Sequence, residues 1–250
     1  MEGEIGRGIV RRGVAPSLAS ARLEVASRTD RGVSAVGNAL ALTSDHEAPV
    51  LLRVLNGIAP EITFTAVRAV AESFRVRAAV RRTYRYFEPG KKRDFKSWAL
   101  VARRFGGEID VHSFGRGLPG GVPVRRMVES VTVTAHRHGV VLEIRAPSFV
   151  WGMVRKIVAA FREVEAGRLS VDRLEQALKG QVRLTLPLAE PERLVLWEVE
   201  YSTPWEFFWT GPNRQQAKWM ESTRNDLGAR EMVVGVLAEG YETTTRPRGG

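Results

Sequence analysis

Between Arg125 and Gly167 the spacing of apolar residues changes period. In "RRMVESVTVTAHRHGVVLEIRAPSF", Val128, Val131 and Val133 feed one arm of a hairpin. Val141, Leu142 and Ile144 feed the other, and Arg137-His138-Gly139 makes the turn. Such alternation marks strands with one buried face. In "SFVWGMVRKIVAAFREVEAGRLS", Phe149, Val150, Met153, Val154, Ile157, Val158, Phe161 and Val164 recur at three- and four-residue steps, forming one wide helical stripe. Ser148 is the expected N-cap and Gly167 the expected stop. Elsewhere strands and helices mix without a regular βαβ rhythm. The pattern predicts an α+β fold with a largely antiparallel, mixed sheet flanked by helices.

Upstream, Ile5, Ile9 and Val10 sit among charges in Glu2 to Arg12, as in an amphipathic helix. "ARLEVASRTD" reads as a short strand running into a turn. "VGNALALTS" fits strand or helix equally. "PVLLRVLNGIAP" predicts a helix ended at Asn56-Gly57. "EITFTAVRAV" alternates as a strand, and "SFRVRAAVRRTYRYFEPG" has room for two. A helix in "SWALVARRF" stops at Gly106-Gly107, "SVDRLEQALKG" predicts another ending at Gly180, and "ERLVLWEVEYS" reads as a late strand. After Pro204 come aromatic and polar residues, a short helical stretch in "REMVVGVLAEGY", and an end expected to be disordered.

The chain has 250 residues, no cysteine and four histidines, His46, His112, His136 and His138. Without cysteine, thiol catalysis and zinc fingers are excluded, and the composition suits a reducing cytoplasm. No histidine pair has the spacing of a helical zinc site, so no metal is expected. No apolar run reaches the roughly 18–20 residues of a membrane span. The formal net charge is +10, and it is concentrated: twelve basic but only three acidic residues fall between Arg68 and Arg104. Such a segment reads as a phosphate-binding surface or as solvated charge.

Three places combine charge with apolar surroundings. In "SRTDRGVSA", Asp30 stands between Arg28 and Arg31. A carboxylate near a core needs polar partners and, once charged, serves as nucleophile or base. The same residues also suit a simple type I turn. In "RRTYRYF", strand alternation puts Arg82, Tyr84 and Tyr86 on one face and Thr83, Arg85 and Phe87 on the other. Tyrosines among arginines suit stacking on RNA bases, or cross-strand packing. Arg155 falls at the edge of the helical stripe beside Trp151 and Val158. There its stem can be buried and its head offered to a partner or to solvent.

Taken in order and spacing, "SRTDRGVSA", "RRTYRYF" and "SFVWGMVRKIVAAFREVEAGR" resemble the three signature stretches of the TruA-type tRNA pseudouridine synthases, in their archaeal-like form. "DVHSF" with "VRRMVESVTV", and "ERLVLWEVEY", resemble two more, so the resemblance runs from about Glu2 to Ser202. It implies isomerisation of uridines in the tRNA anticodon stem–loop, with Asp30 as the essential carboxylate. Arg28 handles the RNA around the flipped base, Tyr84 stacks on the uracil, and Arg155 pairs with the carboxylate. It implies two related halves with a central cleft, residues 1–79 carrying Asp30 and 80–203 carrying Tyr84 and Arg155, followed by an extension, 204–250. It also implies tRNA as partner, a homodimer, no cofactor and a cytoplasmic location. Family members begin with a strand bearing Tyr-Asp-Gly, whereas this chain begins at the helix after it, so the first strand is expected to be missing. The alternatives are an RNA-binding protein that kept the fold without catalysis, and a glycosylase or nuclease using the same carboxylate.

Overall fold

The structure, a computed structural model, describes residues 2–90, 94–120, 123–136, 138–202 and 213–227. In chain order the elements are α1 (Glu2–Arg11), α2 (Leu18–Ala21), β1 (Glu24–Val25), β2 (Ser34–Ala35), β3 (Leu40–Ala41), α3 (Ala48–Leu55), β4 (Arg81–Pro89), α4 (Phe95–Ala102), β5 (Gly107–Asp110), β6 (Arg125–Val128), β7 (Ser130–His136), β8 (Gly139–Ala146), α5 (Met153–Glu165), α6 (Val171–Leu178), β9 (Leu194–Glu200) and α7 (214–227). They form two compact units. One comprises Met1–Leu23, Leu42–Phe74 and Trp205–Gly250; the other comprises Glu24–Ala41 and Arg75–Pro204.

The first unit is helical. Ile5 and Ile9 of α1 are buried as the amphipathic pattern requires, while Val10 is exposed. Asn56, just beyond α3, organises the stretch of chain after it. Its side-chain amide donates to the Phe64 carbonyl and accepts from the Phe64 N–H, both at 2.8 Å. That exchange replaces a strand partner, so "EITFTAVRAV" does not form the strand its alternation suggested; Ala66 makes only an isolated bridge. The start of α7 docks on the same residue. Asn213 and Gln216 cap each other across the first turn. The buried Gln216 amide donates to Asn56 Oδ1 and to the Ile62 carbonyl, each at 3.0 Å. A buried amide needs these partners, and α7 is thereby fixed in register.

The second unit holds a five-stranded sheet of order β2-β9-β4-β8-β7, antiparallel except for the β2–β9 pair, and two small antiparallel pairs, β1–β3 and β5–β6. This is the mixed, largely antiparallel α+β arrangement expected from the sequence. The hairpin forms as β7–β8, with Val131 opposite Ile144 and Val133 opposite Leu142. Val128 does not belong to it. It ends β6 and pairs with Gly107; Glu129 lies between the two strands, and its N–H donates to the Arg145 carbonyl of β8. Arg137, Lys91, Lys92, Arg93 and the stretch "REMVVGVLAEGY" lie outside the described residues. Of the two strands allowed in 73–90 only β4 forms. The N–H of Phe74 reaches Ala71 and that of Ala78 reaches Arg75, so consecutive turns occupy the rest.

The apolar stripe of α5 packs towards α4. Phe161 lies stacked on Phe105, centroids 5.6 Å apart, and tilted against Trp98 at 5.2 Å, all three fully buried. No helix among the described residues is long and apolar enough to cross a membrane. Phe161→Ala removes the side chain shared by both contacts and should cost about 3–5 kcal/mol of stability, read as a lower midpoint in urea unfolding followed by circular dichroism.

Candidate active site

Residues Glu24–Ala41 are held from both sides, and this sets the position of Asp30. Glu24 and Val25 pair with Ala41 and Leu40. Ser34 and Ala35 run parallel to Val195 and Leu196 at the sheet edge. Gly37 approaches β9 so closely that a Cβ would lie 2.6 Å from the Trp197 carbonyl oxygen, leaving no space for a side chain. Between these pairings the Val33 N–H donates to the Asp30 carbonyl at 3.1 Å, with Gly32 at φ 93°. A positive φ at the third position marks a type II turn, not the type I turn the residues suggested, and explains the glycine there.

A second turn of the same kind faces it. The Met153 N–H donates to the Val150 carbonyl at 3.1 Å, and Gly152 has φ 76° and ψ 3°. Gly152, not Ser148, is therefore the N-cap of α5. Phe149 and Val150 leave the helical stripe and, with Ser148 and Trp151, line a cavity instead. The stop at Gly167 is as expected, with φ 69° just past the C-cap Ala166.

The two turns bring Asp30, Trp151 and Arg155 together. The Arg155 guanidinium donates through Nη1 to Asp30 Oδ2 at 2.5 Å, and the Trp151 indole N–H donates to Asp30 Oδ1 at 2.8 Å. Each carboxylate oxygen thus has its own fixed donor. Arg155 Nε donates to the Ala189 carbonyl at 2.5 Å, so the guanidinium is oriented from behind. The cavity, about 540 Å³, is lined by Ser27, Arg28, Asp30, Arg82, Tyr84, Phe149, Trp151 and Arg155 among others. All four residues singled out in the sequence, Arg28, Asp30, Tyr84 and Arg155, line it. Arg28 is exposed at its mouth.

Tyr84 sits on the buried face of β4, as alternation predicted, with its ring edge-on to Phe149 at 5.0 Å. The sheet register slips here: Thr83 faces Glu198 but Tyr84 faces Leu196, so Trp197 is an extra residue on β9. Such bulges re-aim side chains next to sites. Burial pushes the Tyr84 hydroxyl up to about 12, against the nearby Arg82 charge and a hydrogen bond with Ser27, so it stays protonated at neutral pH. Arg82 beside it donates to Ser27 Oγ at 2.9 Å and to the carbonyls of Ala26, Arg77 and Pro147.

Several arginines of the basic segment are engaged in this way rather than free for an anion. Besides Arg82, Arg81 pairs with Glu129 and Glu200, Arg85 with Glu143, and Arg104 with Glu175. Two turns along α5 from Arg155, Arg162 joins Glu88, Glu190 and the Tyr86 hydroxyl. Glu190 follows Ala189, so the two arginines of α5 grip adjacent residues of one segment. Among the described residues no group of three or more acidic or histidine side chains is arranged to hold a metal.

The sequence reading missed Trp151 as a partner of Asp30, because helical spacing placed it only beside Arg155 at the edge of the stripe. Its one signal was the glycine after it. Ala189 acts through its carbonyl and left no signal.

A family model described as tRNA pseudouridine synthase matches residues 101–202. The chain is 35% identical over 204 residues to tRNA pseudouridine synthase A of Thermococcus kodakarensis, covering 80% of this chain and 76% of that one. It is 33% identical over 233 residues to the protein of that name from Thermococcus gammatolerans, covering 92% and 84%. With the one from Methanothrix thermoacetophila it shares 35% identity over 218 residues, covering 86% and 79%.

The Arg162 cluster makes stability depend on pH. Hydrogen bonding to Arg162 holds the Glu190 carboxyl at about 2, below its usual 4.5. A depressed carboxyl stabilises the fold above its unfolded value and loses that contribution as pH falls through the folded one. Glu190→Gln should therefore lower the melting temperature at pH 7, and the gap to wild type should close between pH 4.5 and 2. Melting curves across that range check it.

Proposed function

This chain belongs to the tRNA pseudouridine synthase family, and on that premise we propose that it isomerises uridine in tRNA to pseudouridine with Asp30 as the essential carboxylate. The observation that carries this is the double fixation of Asp30 by Arg155 and Trp151 at a cavity of about 540 Å³ walled by Tyr84, with room for a flipped nucleotide. In this reaction the N1–C1′ bond of uridine breaks, the uracil turns over, and C5 joins C1′. The proton lost from C5 is balanced by one gained at N1. A charged carboxylate serves whether it adds to C1′ or removes a proton, and two donors preorganised on its oxygens keep it aimed.

The target base must leave its stack, at a cost of a few kcal/mol. Arg28, exposed at the cavity mouth, takes the space or the phosphate next to it. Tyr84 offers the flipped uracil a ring held by Phe149, with its hydroxyl kept protonated by burial. The finer features are part of the same proposal: two related halves, 1–79 and 80–203, with a central cleft and an extension over 204–250, a homodimer, a cytoplasmic location, and uridines of the anticodon stem–loop as targets.

Incubation of the protein with unmodified tRNA, followed by mapping of pseudouridines, tests the reading. Asp30→Asn is expected to abolish product while tRNA binding stays within a few-fold. Product from the Asn variant would overturn the mechanism. Salt-dependent binding without product from the wild type would point instead to a non-catalytic RNA-binding protein, and free uracil or chain scission to a glycosylase or nuclease. Tyr84→Phe keeps the ring and should retain most of the activity, whereas Tyr84→Leu should lose roughly a further 5- to 100-fold in kcat/KM.

A further inference from the structure

Trp151 is 57% exposed, yet it is firmly held. Its indole N–H is fixed on Asp30, its carbonyl accepts from the Arg116 N–H at 3.0 Å, and it occupies the second position of the Gly152 turn. Large aromatic side chains ordinarily gain stability by burial. Here the polar edge is fixed inward and the ring is left to solvent at the rim of the cavity. Over the ring lies the Arg116 guanidinium, 4.5 Å from its centre. Arg116 is itself exposed, and among the described residues no carboxylate pairs with it.

The turn that carries Arg116 is as well anchored as the tryptophan. The Gly115 N–H donates to the Val111 carbonyl, and the Lys156 ammonium donates to the Gly115 carbonyl at 2.9 Å. A Cβ at Gly115 would lie 2.6 Å from Leu118 and 2.7 Å from Val150, so the turn packs directly on the segment leading into Trp151. Arg116 and Lys156 are close enough that the arginine's charge adds to burial in lowering the lysine's affinity for a proton. An uncompensated pair of cations beside a fixed, exposed indole suits one ligand chemistry well: a nucleotide, with its base on the ring and its phosphate on the guanidinium.

We propose that Trp151 and Arg116 form a nucleotide-binding platform for a single-stranded RNA base flanking the one that enters the cavity beside Asp30. This rests on the pseudouridine synthase reading for the identity of the cavity's guest, but not for the binding of RNA to the platform. The platform has a second consequence. The ring that takes the flanking base also donates to Asp30, so the bound strand steadies the carboxylate through the same side chain.

Three variants and one modified RNA test this. Binding and single-turnover conversion are measured with an unmodified tRNA transcript at several salt concentrations. Trp151→Phe keeps a stacking ring but lacks the N–H: Kd should stay within about twofold while the conversion rate falls. Trp151→Leu loses both, and Kd should also rise about 5- to 50-fold. Arg116→Gln should weaken binding at low salt and reduce the salt slope by about one. A transcript with an abasic nucleotide beside the modified uridine should bind the wild type as weakly as intact tRNA binds Trp151→Leu. Equal Kd values for Trp151→Phe and Trp151→Leu, with both variants melting like the wild type, would overturn the platform. So would an unchanged salt slope in Arg116→Gln. If the wild type converts no uridine, the functional reading fails. In that case the same Kd comparison, with abasic nucleotides scanned along the transcript, still decides the platform; a wild type that binds no RNA overturns both.

Discussion

The contact on which the site depends is the buried guanidinium of Arg82. It is only 7% exposed and has four neutral acceptors: Ser27 Oγ and the carbonyls of Ala26, Arg77 and Pro147. Those acceptors belong to stretches far apart in the chain. One leads into the Asp30 turn, one precedes β4, and one leads into the Trp151 turn. Hydrogen bonds to a charged group are each worth about 1.5–3 kcal/mol, and their loss here would leave a buried guanidinium without partners. The arginine projects from the strand that also carries Tyr84. A single strand therefore positions the tyrosine directly and the carboxylate and tryptophan through its arginine.

This arrangement separates two positive charges that have different tasks. Arg155 meets the carboxylate and is aimed by the Ala189 carbonyl. Arg82 meets only neutral groups, and its charge acts instead on Tyr84, where it opposes the burial that keeps the hydroxyl protonated. The segment behind Arg155 is fixed in turn by Arg162, which holds Glu190 against Glu88 and the Tyr86 hydroxyl. Fixed dipoles and charges of this kind need little reorganisation as charge develops in a reaction.

The parts of this structure that are legible in the sequence are those whose signal is local and periodic. The β7–β8 hairpin and the stripe of α5 follow from alternation and from three- and four-residue steps, since side chains repeat with the backbone that carries them. The face of β4 that holds Arg82 and Tyr84 is legible for the same reason. Periodicity fails where a single residue overrides it. Asn56 takes both hydrogen bonds of Phe64 and dissolves an apparent strand. Gly107 takes Val128 into a separate small pair, β5–β6, away from the hairpin. Gly152 starts α5 only at Met153 and so cuts Phe149 and Val150 out of the helical stripe. Pairing across the fold is harder still: Asp30 and Arg155 can be joined only through a family resemblance, and the carbonyls of Ala189 and Pro147 carry no residue-type signal at all.

Both turns of the site share one construction, and it explains why polar side chains can be held so firmly on irregular chain. In each, a glycine with positive φ closes a four-residue turn, and regular structure comes at once: β2 after Gly32, α5 after Gly152. The polar side chains sit ahead of these glycines where the chain reverses, Asp30 at the first position of its turn and Trp151 at the second of its own. Flanking hydrogen bonds remove the freedom that a loop would otherwise have, while the reversal supplies the exposure that a strand or helix interior would deny. Any side chain at either glycine would demand a left-handed backbone of an L residue, at a cost of about 1 kcal/mol or more. It would also crowd Glu192 at Gly32 and Leu188 at Gly152, with Cβ contacts of 2.9 and 3.0 Å. The two glycines, neither of which offers a chemical group, thus help to set the backbone on which the carboxylate–indole contact is made.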